Sequence, residues 1–152
     1  MKRNLFILIL LLANAAFSQL TKYTFADLEQ RSAAEVRFTV IYLSAPWCKF
    51  CGMMEQTTFK NDMVINILND DYHFVAFSSE NNDPIRFNGR TYEYHPTGNG
   101  IGSHEIITEL LSGLEISFPA IIILDKDLNI VFRQTSFIDA EHFITILNKI
   151  KS

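Results

Sequence analysis

The chain of 152 residues is poor in the residues that mark several protein classes. Two cysteines are too few for a disulfide-dense secreted scaffold. Six glycines and four prolines, set among plentiful Phe, Ile and Leu, exclude a collagen-like or a disordered chain. Thirteen Lys and Arg against 17 Asp and Glu leave a net charge of −4. The concentrated basic surface that neutralises phosphates is therefore missing, and nucleic acid is not an expected partner. No internal repeat or low-complexity linker interrupts residues 19–152. What is abundant is apolar: 48% of the residues are hydrophobic, enough for one sizeable core, and the length suits a single domain.

Lys2 and Arg3 precede an apolar stretch from Leu5 to Ala13, and Ala15, Ala16, Phe17 and Ser18 lead to the polar Gln19. A basic end, an apolar middle and small residues before a polar one form the layout of a secretory signal peptide. A membrane-spanning helix needs about 20 apolar residues, and Asn14 interrupts this run well before that. Cleavage is expected after Ser18, with Ala16 as the alternative, and no cysteine directly follows the run to carry a lipid anchor. Residues 1–18 thus read as a signal peptide and residues 19–152 as the mature domain. Loss of Lys2 and Arg3 takes the formal charge from −4 to −6. The expected product is exported to a periplasm or the exterior and is not embedded in the membrane.

Along the mature chain, Thr24 is placed to cap a helix with Phe25, Leu28 and Val36 facing inward. Arg37 to Ser44 has the nearly continuous apolar run of a buried strand. The segment Ala45-Pro-Trp-Cys-Lys-Phe-Cys51 follows, then a helix through about Phe59. Asn61 or Asp62 can cap another helix carrying Val64, Ile65 and Leu68, and Tyr72 to Phe77 reads as a second central strand. From about 80 to 102 the pattern changes to an insertion rich in Tyr, Asn and Gly, in which Asn88-Gly89 between alternating runs predicts a β-hairpin with a type I′ turn. A Gly-rich loop and a helix capped by Ser103 come next. Phe118 to Leu124 and Ile130 to Arg133 form two strands around an Asp125–Asn129 turn. Asp139 caps a final helix with Phe143, Ile146, Leu147 and Ile150 at helical spacing. This order predicts an α/β sandwich with a mixed central sheet and helices on both faces.

Cys48 and Cys51 stand three apart where a strand gives way to a helix. A sulfur at a helix N-terminus meets unpaired backbone N–H groups and the positive end of the helix dipole, both of which favour a thiolate. Cys48 is therefore the expected nucleophile. Helix geometry separates the two Cα atoms by roughly 5 Å, inside the range a disulfide can bridge, so Cys51 can attack a mixed disulfide on Cys48 and release the partner. A purely structural bridge over so short a loop removes little entropy from the unfolded chain. The same pair could supply half of a soft-metal site with one of His73, His95, His104 and His142. No two of these histidines have zinc-finger spacing, and neither a metal nor another cofactor is expected.

These residues resemble the thioredoxin superfamily. The resemblance rests on Trp47-Cys48-Lys49-Phe50-Cys51 after the strand Thr39–Leu43, and on Phe118-Pro119 opening the strand Ala120–Leu124. The run from Cys48 to Phe59 is most similar to exported thioredoxin-like proteins related to the C-terminal domain of the Dsb-type membrane electron transducer. The resemblance implies a thioredoxin-like three-layer sandwich and a thiol–disulfide oxidoreductase in which Cys48 attacks and Cys51 resolves. It also implies a cis Pro119 facing the pair, with Phe118 and Trp47 meeting an extended substrate segment. Exported proteins with cysteines are the implied substrates and a membrane electron transducer the implied donor, so the protein is expected to act as a reductase, with an oxidant as the close competitor, and as a monomer.

Two departures from the family pattern stand out. Thioredoxin has a buried Asp six residues before its first cysteine, and this chain has Tyr42 there, a poor proton acceptor near neutral pH. Glu55, four residues after Cys51 on the same helical face, is the candidate proton relay instead. The 80–102 insertion is the second, read as surface decoration or a docking flap. Two competing functions remain at this stage: a copper chaperone, and a non-catalytic binding module for which the cysteines are dispensable.

Overall fold

The computed structural model describes residues 19–31, 37–98 and 102–152. The signal-peptide reading of residues 1–18 and the inward placement of Val36 lie outside the described residues.

The centre is a four-stranded sheet of β1 (Phe38–Ser44), β2 (Tyr72–Ser78), β7 (Ala120–Leu124) and β8 (Ile130–Gln134), in the order β2-β1-β7-β8. β1 runs parallel to β2 and antiparallel to β7, which pairs antiparallel with β8, so the sheet is mixed. β1 and β7 are the inner strands and read as unbroken apolar runs because both of their faces are covered. Alternation divides them: Val40 and Tyr42 join Ile121 and Ile123 on one face, while Ile41 and Leu43 join Ile122 and Leu124 on the other.

The first face is covered by α2 (Lys49–Gln56), α3 (Asp62–Asp71) and α5 (Ala140–Lys151), through Met54, Val64, Leu68, Phe143 and Leu147. The second is covered by α1 (Phe25–Arg31) and α4 (Glu105–Leu110), through Phe25, Leu28, Ile106, Ile107 and Leu110. The predicted three layers are present. Caps set the helix starts where sequence placed three of them: Thr24 and Asp27 exchange hydrogen bonds at α1, Asn61 accepts from Met63 and Val64 N–H, and Asp139 accepts from His142 N–H.

Two boundaries differ from expectation. α2 ends at Gln56 rather than Phe59, and a 3₁₀ turn, Thr58–Lys60, follows. There the buried Thr58 hydroxyl donates to Ile138 O at 2.7 Å and Phe59 enters the core against Tyr42, Phe74 and Phe143, so tertiary partners take over the last turn. The cap of α4 is His104, not Ser103: its Nδ1 accepts from Ile106 N–H at 3.2 Å.

The insertion contains β3 (Ile85–Phe87) and β4 (Arg90–Tyr92), joined by Asn88 and Gly89 at φ 51° and 72°, the type I′ turn the sequence announces. A second pair, β5 (Tyr94–Pro96) with β6 (Gly102–His104), stands where the sequence predicts a Gly-rich loop. A side chain at Gly102 would overlap the far end of the Tyr94 ring, which would have to swing aside. Phe87 and Tyr92 are buried in the second-face core, with Phe87 edge-on to Phe25 at 5.2 Å.

Candidate redox site

β1 delivers the chain to the edge of the sheet, and Ala45 to Trp47 turn it into α2, with Cys48 N–H donating to Ala45 O at 3.0 Å. Cys48 is the N-cap: its backbone is extended, its carbonyl accepts from Gly52 N–H at 3.3 Å, and its Sγ accepts from Cys51 N–H at 3.0 Å. The sulfur therefore occupies the position that a capping Ser or Asp oxygen holds elsewhere. Cys48 and Cys51 form a disulfide with Cα atoms 5.2 Å apart, in agreement with the separation expected from helix geometry. Cys51 is 2% exposed and Cys48 8%, so an incoming partner meets Cys48 first.

An aromatic rim surrounds the pair. Trp47, 76% exposed, stands edge-on to Phe118 at 6.0 Å. The Phe118–Pro119 peptide bond is cis and leads directly into β7. Phe118 packs against both faces' core clusters, one of which contains both cysteines, and meets Trp47, the residue before Cys48. On the far side Phe50 lies 6.5 Å from Phe137. Sequence reasoning missed that contact because Phe137 belongs to a loop with no periodic signal.

Behind the disulfide, the Tyr42 hydroxyl lies 3.2 Å from Cys51 O and 3.2 Å from Glu55 Oε1. Burial, then the charge of Glu55 and the hydrogen bond to it, push the Tyr42 phenol far above its usual range, so it remains a neutral donor. Glu55 itself is exposed. The sequence registered Tyr42 only as a missing acid; its alternation with Val40 onto the α2 face is the signal that links it to Glu55. The histidines lie elsewhere. His95 pairs with Glu105 and His142 with Asp139, while His104 bridges Asp83 O and Ile106 N, and His73 packs edge-on to Tyr23. Among the described residues no group of three or more His, Cys, Asp or Glu could hold a metal ion.

Residues 25–151 match the family of thioredoxin-like domains. The chain belongs to that family. Solved structures with similar folds include a DsbH oxidoreductase (12% identity over 90% of this chain and 87% of that one, TM-score 0.61). A thioredoxin from Thermus thermophilus matches at 15% identity over 88% of each chain, with a TM-score of 0.62. The C-terminal domain of DsbD from Neisseria meningitidis, in its reduced form, matches at 15% identity over 80% of this chain and 87% of that one, with a TM-score of 0.52. No curated protein matches by sequence. In this thioredoxin-like domain, the fold and the Cys48-x-x-Cys51 disulfide support thiol–disulfide oxidoreductase chemistry. No helix among the described residues is long and apolar enough to cross a membrane.

Proposed function

We propose that this thioredoxin-like domain is an exported protein-disulfide reductase. The observation that carries the proposal is the Cys48 sulfur seated as the N-cap of α2, accepting the Cys51 N–H at 3.0 Å. In the reduced protein that position favours negative charge on Cys48. The Cys48 thiolate attacks one sulfur of a substrate disulfide, forming a Cys48–substrate bond while the other substrate sulfur leaves as a thiolate and takes a proton from solvent. Cys51 then gives its proton to Glu55, acting as relay, and attacks the Cys48 sulfur. The Cys48–Cys51 bond forms, the mixed disulfide breaks, and the second substrate thiolate departs. Two electrons pass from the dithiol to the substrate, and a dithiol donor restores the pair by the reverse exchange.

Trp47, Phe118 and Pro119 serve this reading as the substrate contact, with the backbone around Phe118 pairing with an extended segment carrying the reactive cysteine. Cysteine-containing exported proteins are the substrates, a membrane electron transducer is the donor, and the protein works as a monomer in a periplasmic or extracellular space. The resemblance to exported electron-transducer domains favours the reducing direction. The test is the reduction potential of the Cys48–Cys51 couple together with insulin reduction. A potential near roughly −270 mV supports a reductase, and one near roughly −120 mV makes the protein an oxidant. Unchanged insulin reduction by Cys48→Ser overturns the proposal altogether.

A further inference from the structure

On the sheet face that α2 covers, the part over β2 beside that helix is left open by small side chains. Tyr42 pairs in register with Ala76, and Ser44 with Ser78, so Tyr42, Ser44, Ala76 and Ser78 share one face of neighbouring strands. Ala76 is exposed although it lies in the middle of a strand whose other early residues are buried. Above it opens a cleft of about 970 Å³, bounded by Leu20, Glu55, Phe59 and Phe74 and floored by Tyr42 and Ala76. The cleft reaches the rear of the redox pair through one hydroxyl, that of Tyr42, which stands between Glu55 Oε1 and Cys51 O at 3.2 Å from each.

A phenol has one hydrogen and here faces two acceptors. With Glu55 ionised, the hydrogen serves the carboxylate or the Cys51 carbonyl. With a proton on Glu55, the carboxyl donates to the Tyr42 oxygen and the phenol donates to Cys51 O, so every member of the chain has a partner. The arrangement therefore accommodates both states of Glu55 without moving the helix turn that bears Cys51. The open side of the same carboxylate faces solvent in the cleft.

Building on the reading of Cys51 as the resolving thiol, we propose that Tyr42 is a positioning residue for the resolving step: it holds the Glu55 carboxylate against the Cys51 turn. The cleft over Ala76 is the exit by which the proton leaves for water. In this step the Cys51 S–H bond breaks, its proton passes to Glu55 and then to solvent, and the sulfur's electron pair forms the bond to Cys48 as the substrate thiolate leaves.

The two chemical steps can be timed separately by mixing the reduced protein with a chromogenic aromatic disulfide. The first equivalent of coloured thiolate reports attack by Cys48 and the second reports resolution by Cys51. Tyr42→Phe keeps the ring and removes the hydroxyl. It is expected to leave the first release unchanged and to slow the second by roughly tenfold, the order of one hydrogen bond to an ionised group. Its second release should also become more steeply dependent on pH, since hydroxide must replace the relay. Ala76→Leu, which fills the cleft from an exposed position, should slow the second release alone. In a Glu55→Gln background Tyr42→Phe should cost nothing further. Equal slowing of both releases by Tyr42→Phe, a cost that persists in Glu55→Gln, or a second release untouched by any of the three variants overturns the role of Tyr42 and the cleft. Failure of the unaltered protein to give the second release strikes instead at the two-cysteine mechanism itself.

Discussion

A sulfur that takes the place of a capping oxygen has its reactivity written into backbone geometry. Cys48 Sγ faces the Cys51 N–H at 3.0 Å, and the proposed division of labour follows. Cys48→Ser should bring insulin reduction to background. Cys51→Ser should still attack and should accumulate a mixed disulfide with its substrate, visible as a shifted band on a non-reducing gel. This part of the site was legible because the strand-to-helix boundary and the spacing of three are local properties of the sequence. Tyr42 was not legible in the same way. Its partners lie 9 and 13 residues away, and only the packing of α2 on β1 shows that a residue read as a missing acid contacts Glu55. Trp47 and Phe118 stand edge-on to each other, and Phe50 and Phe137 meet because the loop before α5 folds back toward α2.

Helices and strands were recovered where periodicity and capping agree, as at Asn61 and Asp139. Asn61→Ala removes an acceptor for two N–H groups and should lower stability by about 1 kcal/mol in urea unfolding. Tyr72→Phe should cost a similar amount, about 1 kcal/mol, because the buried phenol of β2 donates to Leu147 O of α5 at 2.6 Å. Misplaced boundaries have tertiary causes: Thr58 and Phe59 are drawn into the core, and His104 outcompetes Ser103 as a cap because its ring also reaches Asp83 O at 3.0 Å. The β5–β6 pair was hidden by Pro96 and by the Gly-rich run after it, which carry no strand signal. The β3–β4 hairpin was found, but its burial was not. Phe87→Ala should cost about 3–5 kcal/mol in the same assay, far above what removing a side chain from a free flap would cost.

At the scale of the whole molecule, opposite sets of groups limit stability at the two ends of the pH range. Burial raises the Tyr72 phenol from 10.0 to about 12, and burial likewise raises Tyr42. Groups raised on folding contribute stability that is intact below their ordinary pKa and lost as pH rises through the folded value. Unfolding free energy should therefore fall above pH 10, less steeply in Tyr72→Phe. In the other direction, the His142 backbone N–H and then its side chain hold Asp139 below its usual 3.8, and His95 does the same for Glu105. Carboxylates lowered on folding stabilise above their ordinary pKa, and that contribution disappears as acid protonates them. Asp139→Asn, which still caps, should flatten the acid limb of a thermal-melt series. The three-layer plan itself was readable because alternating apolar residues of β1 and β7 assign each face its helices. His104 ties two parts of the molecule together. One imidazole caps α4 and holds Asp83 O near the start of the extra segment, so trimming that segment would also loosen the first turn of the helix.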